Sequence, residues 1–109
     1  MAESRHAPRA PYAGVVFVSW KTFDGQRNHV LGRSINVSER GLALALGIRI
    51  PVGSYVKVQA DGLNLNGSAT VRRVAHLPGG YLLGLELSAS LDPDILAKFG
   101  VAQSQAAMA

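Results

Sequence analysis

A chain of 109 residues has room for one hydrophobic core and no second, and with 48% apolar and 17% charged residues it is too rich in core-forming side chains to stay disordered as a whole. Eleven cations, eight of them arginine, against seven carboxylates set a formal charge of +4. That excess is compatible with an anionic partner gripped by planar guanidinium forks, and equally with a solvated basic surface. The absence of cysteine excludes disulfides, thiolate metal sites and cysteine nucleophiles, and fits a reducing compartment.

In chain order, residues 1–11, "MAESRHAPRAP", are polar and contain two prolines, which predicts a flexible arm rather than a helix. The run "YAGVVFVSWKTF" that follows carries Val, Phe and Trp over strand length. Arg5 and Arg9 ahead of it imitate the basic start of a signal peptide, but Pro11 and Tyr12 interrupt the transition, Lys21 closes the apolar run early, and no small-residue cleavage site follows. The run is therefore read as a strand. No stretch approaches the length of a membrane span, so the expectation is a cytoplasmic protein without membrane insertion.

Asp24-Gly25 supplies turn chemistry, and the segments on either side are expected to pair as a hairpin. In "RSINVSERGLALAL", residues 33–46, strand-like sequence is interrupted by a polar corner and then resumes, with Leu42, Leu44 and Leu46 alternating with Gly41, Ala43 and Ala45. "YVKVQA" sets Val56 and Val58 on one face against Lys57 and Gln59, and Asp61-Gly62 ends it. "GSATVRRVAHL" and "YLLGLEL" form a last pair joined by "PGG", with Leu83, Leu85 and Leu87 on a common face. Six short strands with closely spaced turns predict a mainly β fold, an antiparallel barrel or sandwich. One helix is expected in "LDPDILAKFG", with Asp92 as N-cap, Pro93 at the first helical position and Gly100 beyond the end. Leu91 and Leu96 occupy staple positions that would dock it on the barrel. The tail beyond it has no apolar period and is read as frayed.

Candidate catalytic chemistry is sparse. His6, His29 and His76 are far apart without ligand spacing, and Asp92 and Asp94 are explained by the helix start. There is no phosphate-loop signature, no dinucleotide glycine pattern and no nucleophile elbow. The reading is a non-enzyme with no catalytic residue and no metal site.

The corner "NVSERG", residues 36–41, can be read as a connection alone, since Ser, Asn and Gly make turns. Its partner is the arm, where "RHAPR" sets Arg5 and Arg9 four apart around a proline that favours an extended path. An arginine pair R-x-x-x-R in an N-terminal arm, followed downstream by N-x-S-x-x-G at a strand end, resembles the PilZ family. The resemblance spans about residues 4–99 and implies a six-stranded antiparallel β-barrel. The organisation is then a flexible arm over 1–11, barrel plus C-terminal helix over 12–100, and a frayed tail over 101–109.

PilZ domains are receptors for the second messenger cyclic di-GMP, so the resemblance implies that ligand and no other cofactor. By the same resemblance Arg5, Arg9, Asn36, Ser38 and Gly41 are the ligand-binding residues, with Ser4, Arg33 and Arg40 as possible additional contacts. The chemistry agrees, because two phosphates and two guanines need cationic forks, guanine-edge partners and close backbone approach. Asn36 and Ser38 would share one face if the strand persisted through them. Gly41 would supply either close approach or a positive φ. Asn36 stands where many family members carry Asp, and its amide offers one acceptor atom instead of two. The implied function is a standalone cyclic di-GMP effector whose arm orders on ligand binding and which then regulates an unidentified protein partner in motility, exopolysaccharide synthesis or biofilm formation. Two other readings remain: a PilZ-like adaptor that binds proteins without the ligand, and a small-barrel nucleic-acid binder. The latter ranks last because the aromatics are scattered instead of interleaved with the cations.

Overall fold

The structure, a computed structural model, describes residues 10–11 and 14–98. The strands are β1 (Ala10–Pro11), β2 (Val15–Lys21), β3 (Arg27–Val37), β4 (Gly41–Leu46), β5 (Tyr55–Ala60), β6 (Leu65–Leu77) and β7 (Gly80–Leu87), followed by helix α1 (Pro93–Lys98). The sheet order β3-β2-β5-β6-β7-β4 closes through a β3–β4 pairing into a six-stranded antiparallel barrel, and short β1 lies on β3 beyond the end of β2. Closure pairs the strand edges, which removes the exposed backbone groups that invite aggregation.

Two long strands make closure possible. β3 has 11 residues and pairs with β2 through its first part and with β4 through its last, with a register shift between Ser34 and Asn36. β6 has 13 residues and does the same between β5 and β7, shifting register between Val71 and Arg73. An extra residue bends a strand and increases its twist, so one strand can serve two sides of the barrel.

The interior is filled from alternate positions, as a period of two requires. Val16 and Val18, Leu42, Leu44 and Leu46, Val56 and Val58, and Leu83, Leu85 and Leu87 all belong to one buried cluster. Each such side chain contributes roughly 1.5–3 kcal/mol by leaving water. The expected β2–β3 hairpin turns at Gly25 with φ +88°, and the "PGG" turn at Gly79 with φ +81°, a conformation open to glycine at little steric cost. After β5 the chain makes one turn of 3-10 helix, Asp61–Leu63, and leaves it through Asn64 in the left-handed region at φ +52°. β6 thus begins at Leu65, two residues before the sequence pattern indicates, because Leu63 is drawn fully into the core.

The helix starts as read. Asp92 Oδ1 accepts the Asp94 N–H at 2.8 Å, and Pro93 occupies the first turn. Leu91 is buried and Ile95 packs against the barrel core, which docks this end of the chain. The side chain of Leu96, Gly100 and the tail lie outside the described residues, as do residues 1–9 of the arm. Among the described residues no helix is long and apolar enough to cross a membrane.

Candidate functional site

The polar corner lies between β3 and β4. β3 ends at Val37 and β4 begins at Gly41, and the Ser38 N–H donates to the Gly41 carbonyl at 2.9 Å to close the connection. Val37 and Ser38 are buried, whereas Glu39 and Arg40 are exposed. Since the strand stops at Val37, Asn36 and Ser38 are not held by strand alternation. They are held by the register shift on one side and by the closed corner on the other.

Of the two reasons for a glycine at position 41, close approach is the one that applies. Positive φ occurs at Gly25, Gly53 and Gly79 among the described glycines, whereas a Cβ on Gly41 would sit 2.8 Å from Ser38 Oγ. Glycine leaves room for that hydroxyl. Next to the register shift, Ser34 is 1% exposed and its Oγ has no hydrogen-bond partner among the described residues.

Arg40 fastens the corner to the end of β7, the strand next to β4. Its carbonyl accepts the Leu87 N–H at 2.8 Å, while its guanidinium donates back to the Leu87 carbonyl, Nη2 at 3.1 Å and Nε at 3.4 Å, and to the Ser88 carbonyl at 3.3 Å. The Glu39 carbonyl accepts the Leu91 N–H at 2.9 Å, which ties the corner to the run into α1. Hydroxyls continue the connection, from Tyr55 to Ser68 and from Ser68 to Ser88, each at 2.8 Å. A charged donor on a backbone carbonyl is among the stronger protein hydrogen bonds.

β1 supplies the remaining neighbour. Pro11 pairs with Asn36 and Ala10 with Val37, while on the opposite side Asn36 pairs with Ala43 and Val37 with Leu42. Proline suits this position because an edge strand can forgo a donor. The start of the corner is therefore flanked by the end of the arm on one side and β4 on the other. The structure thus brings Asn36, Ser38, Arg40 and Gly41 together, with Arg33 exposed on β3 three residues before Asn36. Ser4, Arg5 and Arg9 lie outside the described residues. Sequence reasoning did not foresee β1 or the reciprocal Arg40–Leu87 bonds: two residues show no period, and a bond across 47 positions leaves no local signal. No group of three or more His, Cys, Asp or Glu residues that could hold a metal ion occurs among the described residues.

The family model of the PilZ domain matches residues 3–99. The chain belongs to the PilZ domain family. No curated protein matches it. Among solved structures, the PilZ fold is shared with the Bacillus subtilis inhibitor of motility (MotI/DgrA), with a TM-score of 0.65 and 19% identity over 90% of this chain. This chain spans 49% of that protein's length. The PilZ domain of YcgR from Escherichia coli, solved with c-di-GMP, superposes with a TM-score of 0.61 and 13% identity, covering 89% of this chain and 86% of that one.

Proposed function

We propose that this PilZ domain is a cyclic di-GMP receptor that acts on a protein partner. The observation that carries the reading is the β1–β3 register: Pro11 and Ala10 pair with Asn36 and Val37, so the segment that directly continues the arginine-bearing arm enters the barrel beside the N-x-S-x-x-G corner. That register supports reading two motifs more than twenty positions apart in sequence as halves of one site. Arg5 and Arg9 grip phosphate and guanine edges bidentately, Asn36 and Ser38 meet the base, and Gly41 keeps the corner open for it. Ser4, next to Arg5, and Arg33, three residues before Asn36, add further ligand contacts, Arg33 to the phosphates. Arg40 braces the corner through Leu87 and Ser88.

The YcgR domain solved with c-di-GMP supports the choice of ligand, and the motility inhibitor supports a role in motility. On binding, the arm orders against the corner, and the altered surface is read in trans by the partner. The protein works by binding and not by catalysis. Isothermal calorimetry of the full chain with cyclic di-GMP tests this: saturable heat is expected, and its absence would favour an adaptor that binds proteins without the nucleotide.

A further inference from the structure

The outward positions of β2, β3 and β5 form a face unlike the β6–β7 side of the barrel. Val15, Phe17 and Leu31 are 53%, 50% and 58% exposed, and Phe17 stands opposite Leu31 on one side and Gln59 on the other. A groove of about 530 Å³ lies over this pair, with His29, Lys57, Gln59 and Asn66 among its walls. Lys21, Arg27, Arg33 and Lys57 are exposed on the same three strands, and no outward position of β2, β3 or β5 carries a carboxylate. On the other side, Arg72 of β6 is paired with Glu86 of β7 at 2.7 Å.

An exposed apolar pair ringed by cations that have no carboxylates among them marks an interaction surface. A second copy of this chain would bring the same cations face to face and is opposed by their repulsion. Single-stranded nucleic acid would match the charge, but stacked bases need a run of aromatic platforms, and Phe17 is flanked here by the aliphatic Val15 and Leu31, while the face's other exposed aromatic, Tyr55, stands at the start of β5 with its hydroxyl on Ser68. We propose that this face docks a protein segment in which large apolar residues are flanked by Asp or Glu. The apolar anchors fill the groove over Phe17 and Leu31, and the carboxylates reach Lys57 and the outer cations. This rests on the reading that the domain acts through a protein partner, and names that partner's chemistry. The face adjoins the ligand corner, because β1 and β2 occupy the same edge of β3.

The test is an NMR titration of the isotope-labelled full chain with an acetylated peptide of glutamate and serine carrying two central leucines, and with its lysine counterpart. Saturable shifts of the Phe17, Leu31, Lys57 and Gln59 amides are expected with the acidic peptide alone. Phe17→Ser with Leu31→Ser, and separately Lys21→Glu with Lys57→Glu, should each weaken binding about tenfold or more while amide dispersion and cyclic di-GMP affinity stay unchanged. The proposal is overturned if the acidic peptide does not shift this face, if the lysine peptide binds equally, or if both double variants bind normally. It is also overturned if the same amides shift on concentrating the chain alone, or respond more tightly to a short single-stranded RNA. A parallel cyclic di-GMP titration separates the two readings: no nucleotide binding would remove the receptor reading only, whereas lost peptide binding with the nucleotide still bound would remove the docking face only.

Discussion

The tip of the β2–β3 hairpin and the β3–β4 corner are built from the same turn-forming residue types, yet they are held in opposite ways. At the tip every bond is local: Thr22 N–H to the Gln26 carbonyl and Gly25 N–H to the Thr22 carbonyl, both at 2.8 Å, with the Thr22 hydroxyl on the Asp24 carboxylate. Phe23 at that tip is 99% exposed. At the corner, Glu39 and Arg40 bond to Leu91, Leu87 and Ser88, from the end of the neighbouring strand β7 and the approach to the helix. A turn closed by its own side chains can loosen without consequence for the barrel. One fastened to residues distant in sequence, on the neighbouring strand and before the helix, holds its shape as firmly as the barrel does, which is what a preorganised binding loop requires.

The largest expected effect separates the arm from both turns. Arg9→Ala should lower cyclic di-GMP affinity on the order of tenfold or more, the loss of a charge-assisted contact of about 1.5–3 kcal/mol, with an unchanged thermal midpoint. Calorimetry beside a melting curve checks both halves, and undiminished affinity would mean that the corner binds without the arm. Arg40→Ala should then show what long-range fastening is worth. Removing a half-exposed guanidinium from the Leu87 and Ser88 carbonyls is expected to cost about 1–2 kcal/mol in urea unfolding, and to weaken the ligand as well.

The Gly41 contact can be tested by a double-mutant cycle. Gly41→Ala drives a methyl to 2.8 Å from Ser38 Oγ and should destabilise the fold by about 1 kcal/mol, at the lower end for overpacking. Adding Ser38→Ala removes the crowded atom and should recover most of that loss. Strict additivity would show that the two positions do not press on each other. A comparable gain is expected from Asn36→Asp, whose second acceptor completes a charge-assisted pair with the guanine ring N–H and amine, for about 1 kcal/mol of added affinity after desolvation. Cyclic di-AMP lacks that donor edge, so its affinity should not rise, and equal changes for both nucleotides would show that position 36 does not read the base.

The smallest effect belongs to the tip. The Thr22 hydroxyl, followed by the Gln26 N–H, holds the Asp24 carboxyl below its usual value. A lowered folded pKa contributes stability above the unfolded value and loses it as pH falls through the folded one, so the tip should loosen only under strong acid. In Thr22→Ala, carboxyl titration followed by NMR should move up toward the ordinary carboxylate range, with ligand affinity unaltered. A fall in affinity would show that the tip communicates with the corner after all.

Much of this molecule is legible in the residues alone. The alternation of Leu42, Leu44 and Leu46 and of Val56 and Val58 specifies strands and their buried faces, because a strand repeats every two residues whatever it pairs with. Asp92-Pro93 marks the helix start, and Asp24-Gly25 and Gly79 mark turns, since these depend on bonds and angles within a few residues. The motif pair in the arm and corner is likewise a local pattern, and it carries the resemblance to the family whose model matches residues 3–99. Tertiary structure decided what depends on distant partners. Ser38 is buried although it follows the end of a strand, Arg40 is a brace to a strand 47 residues away, and Gly41 is needed for room and not for its φ. Pro11 lies opposite Asn36 because β3 is long enough to offer β1 a place beyond β2. Loop closure and cross-strand register are set by the whole barrel at once, and no window of local sequence contains them.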